Sequence, residues 1–151
     1  MSMNQRNTVV SLGCFLLTLG FVCLKVIEMV QTDTFSVANV TTLWIEVTVA
    51  VILITILATI LANILFGLFY TIVNQKEPGT PEYTTDERDN LIDLKGTKVA
   101  HLVYSLGVLA AMLTFVLNQP PLVMFTGLIA AALVANITAD IYRLIRYGSG
   151  A

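Results

Sequence analysis

Seven polar or ionisable residues interrupt stretches of the sequence that are otherwise apolar. They are Lys25, Glu28, Glu46, Asn63, His101, Asn136 and Asp140. Side chains of these types can carry ions or protons, bind a polar substrate, or pair between helices. Inside a membrane each is expensive unless it has a partner. We therefore treat them as candidate intramembrane polar residues, with a structural role and an ion or substrate role both open.

The spacing of these residues predicts particular pairs. Lys25 and Glu28 are three residues apart and can pair on one helix. Asn63 and Asn136 are each expected roughly 14–15 Å from the inner membrane boundary, at 1.5 Å rise per residue, so that they meet across helices. His101 is expected near that boundary, at a depth similar to that of Asp140. It is either a pH sensor, because imidazole titrates near neutral pH, or a packing residue.

A polar stretch over residues 74–98 is rich in charge. Thr84 and Glu87 have the spacing of a capping box, which predicts a helix that starts there and carries Asp86, Asp89 and Asp93 on one face. No acid in this stretch has a base three or four residues after it, so the face is either solvated or opposed by bases from elsewhere. The candidate partner-binding residues are Asp86, Glu87, Arg88, Asp89 and Asp93, with Arg143 and Arg146 as bases that can face them.

The sequence contains no recognised set of catalytic or metal-binding residues. It has no Gly-rich phosphate loop, no Ser/His/Asp combination and no His/Cys cluster, and carboxylates at helical spacing lack the loop geometry of a calcium site. Cys14 and Cys23 both lie within one apolar segment, where they cannot serve as the loop cysteines of a disulfide-generating oxidase. We predict a protein that is not an enzyme and has no catalytic residues, cofactor or metal.

The composition indicates what must position these residues. Apolar residues make up 56% of the 151-residue chain and charged residues only 12%, whereas soluble domains average about 25% charged residues. A net charge of −2 gives no indication of nucleic-acid binding. Four apolar segments, at about 9–30, 47–73, 99–117 and 122–145, are each long enough to cross a bilayer as a helix. They do not alternate as barrel strands do. The predicted fold is therefore one all-α domain, a four-transmembrane-helix bundle with a cytoplasmic loop at 74–98 and a short interfacial helix before the third span.

The distribution of basic residues predicts the orientation of the bundle. Seven of the eight lysines and arginines lie at the amino terminus, in the loop between spans two and three, or at the carboxyl end. Basic residues concentrate on the cytoplasmic side of membrane proteins. Both termini are therefore expected in the cytoplasm.

Small residues recur at helical spacing in the last two spans. Such residues let helix backbones approach closely, which is how helices associate in lipid. A helix-packing role is more common for such a pattern than a substrate groove. The predicted packing residues are Gly107, Ala111, Gly127, Ala131, Ala135 and Ala139.

The stretch 86–100, which begins Asp86-Glu87-Arg88-Asp89 and includes Ile92, resembles the signature of a family of small bacterial inner-membrane proteins of unknown function. In that family an Asp-Glu-Arg-Asp-x-x-Ile motif, followed by a small residue, leads into a membrane helix. The resemblance implies a multi-pass protein of the bacterial cytoplasmic membrane. It brings no activity with it.

Two functions fit these features. The first is a non-catalytic accessory or regulatory membrane protein that acts through helix packing and the charged cytoplasmic helix, as a homo-oligomer or as a subunit of a membrane complex. The alternative is a small homo-oligomeric transporter or ion pathway lined by the intramembrane polar residues. A transporter requires a continuous polar path, whereas an accessory protein requires an exposed charged surface.

Overall fold

The computed structural model describes residues 3–74 and 87–148 and is all-α in both parts. Its elements are α1 (Met3–Gln31), a short 3-10 helix (Val37–Asn39), α2 (Val40–Asn74), α3 (Glu87–Val116) and α4 (Pro121–Gly148). All four α-helices are long and apolar enough to cross a membrane, which confirms the predicted helical class and the four candidate spans. The predicted capping box at Thr84 lies outside the described residues, as does Asp86.

All four helices are longer than the apolar segments from which they were predicted, and α2 and α3 exceed them by the largest margins. α2 begins at Val40 rather than near 47, so Trp44 and Glu46 belong to the helix itself. α3 runs without interruption from Glu87 to Val116, so its charged residues occupy the first turns of the helix that forms the third candidate span. The charged first turns and the third candidate span therefore form one continuous helix.

The helices pack side by side in the order α3, α4, α1, α2. α4 contacts both α3 and α1, and α2 packs mainly on α1. A buried apolar cluster joins α1, α2 and α4 where α1 ends and the other two begin; it consists of Val22, Leu43, Val47, Leu122, Ile129 and Leu133. We call this the Lys25 end of the bundle. The opposite end, where α1 and α3 begin, is the Arg143 end.

The connections at the Lys25 end are short and fixed by helix caps. Asp33 and Asn118 adopt left-handed backbone conformations after α1 and α3, with φ of 54° and 57°. The amide of the residue after each reaches back to a carbonyl of the last turn, as in Gln119 N–H to Thr114 O at 3.0 Å. This is the Schellman arrangement, which ends a helix and reverses the chain. Pro121 then opens α4, where a missing N–H costs no hydrogen bond.

Large apolar side chains cover the outside of the bundle. Leu17 on α1 and Leu109 on α3 are each 64% exposed, and α2 presents a similar surface along its length. In water so much contiguous apolar surface would drive association. A bilayer would solvate this surface, and the helices are long enough to cross one.

Candidate functional site

The most densely connected polar group in the described chain surrounds Arg143, near the end of α4. The Nη1 atom of Arg143 donates a 2.8 Å hydrogen bond to Oδ1 of Asp140, one turn earlier on the same helix. Its Nε lies 3.3 Å from Oδ1 of Asp93 on α3, and its Nη2 donates to the Thr97 hydroxyl at 3.3 Å. The guanidinium therefore ties the first turns of α3 to the last turns of α4. We call these four residues the Arg143 cluster.

Gly96 makes this approach possible. A Cβ atom at Gly96 would lie 2.7 Å from Nε of Arg143 and 2.8 Å from its Cγ, closer than such atoms can come. Glycine can allow a helix to bend, but α3 continues through Gly96 as a helix. Its role is instead to leave room for the arginine side chain from the neighbouring helix.

Asp140 is the most buried charged residue in the described parts of the chain, at 2% exposure. Its Oδ1 is bonded to Arg143, while its Oδ2 is buried and accepts no hydrogen bond from the described residues. A buried carboxylate is tolerated only with a compensating partner. Arg143 is therefore required to neutralise Asp140 as well as to hold Asp93.

Small residues continue the α3–α4 contact away from the cluster. A Cβ at Gly107 would lie 2.5 Å from the Cβ of Ala131, and one at Gly127 would lie 3.1 Å from the Cβ of Ala111. Each glycine thus faces an alanine of the other helix. Ala135 and Ala139 lie further along α4 and are almost completely buried. Close backbone approach of this kind is the main source of helix association in lipid.

The predicted partner-binding residues separate into two groups. Asp93 and Arg143 face each other inside the cluster, so for Asp93 the structure shows the alternative in which a base from elsewhere, Arg143, opposes the acidic face. Glu87 and Arg88 are exposed and Asp89 is half-buried. Arg146 lies over the Tyr142 ring, 5.5 Å from its centre, and donates to that residue's hydroxyl.

One side of α3 near the Arg143 end remains open. Glu87, Leu91, Leu94 and Lys98 follow a helical repeat and are all exposed, with Leu91 and Leu94 about half accessible. Ile92 and Gly96, on the opposite side, are buried against α4. We call the four exposed residues the outer face of α3. The Arg143 cluster holds the outer face of α3 in position, because Arg143 contacts Asp93 and Thr97 on the opposite side of the same helical turns.

A second charged group lies at the Lys25 end. Lys25 pairs with Glu28 at 3.2 Å, as their spacing predicts, and with Glu46 of α2 at 3.3 Å. The second pair bridges α1 and α2. Lys25, Glu28 and Glu46 therefore form one cluster. Their side chains are more exposed than those of Asp140 and Arg143.

The remaining polar residues lie in two separate recesses. His101 and Asn136 line a groove between α3 and α4, and the amide of Asn136 donates to Ala132 O of its own helix at 2.8 Å. Asn63 instead lines a cleft between α1 and α2. The predicted Asn63–Asn136 pair is therefore wrong, because the two amides belong to different recesses.

The described residues contain two free thiols but no group of potential metal ligands. Among 3–74 and 87–148, no three His, Cys, Asp or Glu side chains come together in a way that could hold a metal ion. Cys14 is buried, Cys23 is exposed, and both are free thiols. What the arrangement offers is ion pairing, hydrogen bonding and apolar contact.

Comparison of the chain with family models, with curated proteins and with solved structures finds no match. The function of this chain is therefore inferred from its own geometry.

Proposed function

We propose that this protein is a non-catalytic accessory or regulatory subunit of the bacterial cytoplasmic membrane, with four spans and both termini in the cytoplasm. Its partner is either another membrane protein or a second copy of the chain, bound through the outer face of α3. The bilayer surrounds the remainder, and nucleic acid is not a partner. The observation that carries this proposal is the Arg143 cluster, which holds a charged helix start in place and leaves one side of it uncovered.

The distribution of charge supports the orientation. Arg6, Arg88, Lys98 and Arg143 all belong to the Arg143 end, whereas Lys25 lies at the other end and is paired with two carboxylates. Cytoplasmic ends of membrane proteins are enriched in lysine and arginine. The outer face of α3 would then lie at the cytoplasmic surface, where a partner can reach it.

The composition of the outer face supports protein binding over simple solvation. It places two exposed leucines between Glu87 and Lys98, so that an apolar centre is flanked by charges of both signs. Interfaces commonly combine an apolar centre with a polar rim. A solvated helix face would gain nothing from leucines at these positions.

A photo-crosslinking comparison tests the proposal. A benzophenone amino acid is placed at Leu91, or as a matched control at Leu109, which is equally apolar and more exposed on the same helix. We expect a discrete protein adduct from Leu91 in native membranes and only lipid or diffuse products from Leu109. Equal protein adducts at the two positions, or none at Leu91, would contradict a partner surface at the outer face.

A small homo-oligomeric transporter or ion pathway is the second candidate. The groove that holds His101 and Asn136 encloses about 380 Å³ and favours this idea, because it places polar groups among apolar helices. Asn63 lies in a different recess, so a continuous path would have to be completed between copies. Ion or solute flux through proteoliposomes of the purified oligomer, lost on Asn136→Leu, would support it over the accessory role.

A further inference from the structure

The groove between α3 and α4 combines a floor of alanines with polar walls. It encloses about 380 Å³ beside the Arg143 cluster, and small-molecule sites have volumes of roughly 300–1,000 Å³. The alanines are buried or half-buried and form the floor. The floor residues are Ala100, Ala132, Ala135 and Ala139, and the wall residues are Thr97, His101, Tyr104, Asn136 and Arg143. We call this recess the His101 groove.

The register of α3 and α4 shows how far the groove extends along the helices. Thr97 meets Arg143, and the two helices run antiparallel from that contact. Tyr104 follows Thr97 by seven residues and Asn136 precedes Arg143 by the same number, so Tyr104 and Asn136 lie at one level. At 1.5 Å per residue this level is about 10 Å from the Arg143 cluster. The polar walls therefore reach from the charged end of the helices into their apolar part.

The polar groups in the apolar part of the groove have hydrogen-bonding capacity to spare. The side chains of His101 and Tyr104 make no hydrogen bond within 3–74 and 87–148. The Asn136 amide donates one hydrogen to Ala132 O at 2.8 Å, which leaves its second N–H unused. All three side chains are exposed on the outside of the bundle, where hydrocarbon would leave them unsatisfied. The groove therefore suits a lipid-soluble occupant that carries hydrogen-bond acceptors.

The charges around the groove select an uncharged occupant. All three guanidinium nitrogens of Arg143 are engaged within the Arg143 cluster. Two carboxylates share this one guanidinium, which leaves the cluster with an excess of negative charge. An anionic headgroup would be repelled at this position. A cation, in turn, would meet no carboxylate among the described residues that line the groove.

The shape of the lining favours a flat ring. Alanine side chains leave a shallow floor, and the rings of His101 and Tyr104 follow each other at a spacing of three residues on α3. Aromatic side chains offer a face for stacking, and the tyrosine hydroxyl and the imidazole N–H are donors. An uncharged, flat ring with carbonyl oxygens satisfies all of these conditions.

We propose that the His101 groove binds the ring of a membrane quinone. The carbonyl oxygens of the ring accept hydrogen bonds from the Tyr104 hydroxyl and the His101 imidazole, and the second amide hydrogen of Asn136 adds a third donor. The ring lies over the alanine floor, and the apolar tail extends along the outside of the bundle. Binding at this site requires neither a partner on the outer face of α3 nor the passage of a solute.

The test maps where a quinone ring binds. The full chain is reconstituted in phosphatidylcholine nanodiscs with a benzoquinone that carries a photoreactive azide on its ring and a short alkyl tail. After illumination, adducts are expected to concentrate on residues 97–104 and 132–139. The His101→Leu/Tyr104→Phe variant should lower their yield about tenfold at limiting probe, because two hydrogen bonds are lost. The matched control Asn63→Leu, which alters an exposed amide between α1 and α2, should leave the yield unchanged.

A second variant tests the floor of the groove. Ala132→Phe places a ring of the protein over the alanines, so it should abolish the adduct. Ala132 is only half-buried, so the variant is expected to unfold in mixed micelles at the same denaturant concentration as the unmodified chain. Full labelling of this variant would show that the ring does not lie over the floor.

Competition experiments separate a quinone from other occupants. An excess of the unlabelled alkyl quinone should displace the adduct, whereas the matching alkyl alcohol and a diacylglycerol should not. Equal displacement by the alcohol would mean that the groove recognises only the tail. Equal displacement by the diacylglycerol would assign the acceptors to a glycerolipid ester. Adducts spread evenly over the exposed side of α1, or protection of the groove by a crosslinked second copy, would also overturn the proposal.

Discussion

The two outer helices of this chain are attached in different ways. α3 meets α4 through glycine–alanine contacts and through the Arg143 cluster, so the pair is close along much of its length. α2 meets α1 through larger side chains such as Phe15, Leu19 and Val51, and the pair opens into a cleft away from the Lys25 end. All four helices are strongly apolar, so hydropathy does not explain the difference.

The size and shape of the facing residues therefore determine which helices pack closely. Lipid is as apolar as leucine, so apolar contact between two spans brings little advantage over contact with lipid. Glycine facing alanine allows the backbones to approach, and the α3–α4 pair uses this. The α1–α2 pair is joined by larger side chains such as Leu19 and Val51 and by the Lys25 bridge, and it leaves a cleft between the helices.

Replacement of Arg143 should have the largest effect on stability, and it tests the difference between the α3–α4 pair and the α1–α2 pair. Arg143→Met is expected to lower the free energy of unfolding by about 3 kcal/mol, because Asp140 remains buried without its cation. Unfolding in mixed micelles measures this value. The matched change at the other pair, Lys25→Met, should cost clearly less because its two carboxylates are far more exposed than Asp140.

A double variant separates the buried charge from the lost contact. Asp140→Asn/Arg143→Met should recover most of the stability, since no uncompensated carboxylate is left. The proposed energetic difference between the two helix pairs would be contradicted by either of two results. One is an equal loss of unfolding free energy in Arg143→Met and Lys25→Met, and the other is no recovery of unfolding free energy in the double variant.

A single methyl group tests the close approach of α3 and α4. Gly107→Ala is expected to cost about 2 kcal/mol, because the new Cβ would overlap with Ala131. Gly20→Ala on α1, where nothing lies within 4 Å, should be neutral or slightly stabilising. The same micelle titration compares the two. A similar result for both glycines would show that α3 and α4 are not in close contact.

The smallest expected effect is local. Asp93→Asn should lower the global stability by about 1 kcal/mol or less, because this carboxylate is half exposed. Amide hydrogen exchange over residues 87–95 should nevertheless become faster, since these turns lose their tie to α4. Glu87→Gln, which alters an exposed carboxylate of the outer face, is the control. Unchanged exchange in Asp93→Asn would mean that the ion pair does not order the start of α3.

Much of the fold could be predicted from the sequence. Length and hydropathy mark helices that can span a bilayer, and the local pair Lys25–Glu28 follows from helical spacing alone. The small residues at Gly107 and Gly127 mark a surface suited to close packing. These features depend on one helix at a time, so periodicity is enough to find them.

The features that depend on two helices were harder to predict. The predicted Asn63–Asn136 pair is wrong because α2 packs mainly on α1, whereas Asn136 faces α3, and the periodicity of single helices does not give this order of packing. The Asp93–Arg143 pair joins residues 50 positions apart, and the need for Gly96 follows from it. One signal was available for the cleft: Thr55, Thr59 and Asn63 repeat every four residues and therefore share one face of α2.

The central claim is that the Arg143 cluster holds the start of α3 so that its outer face can bind a partner. The most direct test is the yield of the Leu91 photo-adduct in the folded Asp140→Asn/Arg143→Met variant, which retains Asp93 but lacks the tie to it. The account predicts that the yield falls to the level of the Leu109 control. A yield equal to that of the unmodified chain, in a variant shown to be folded, would contradict it.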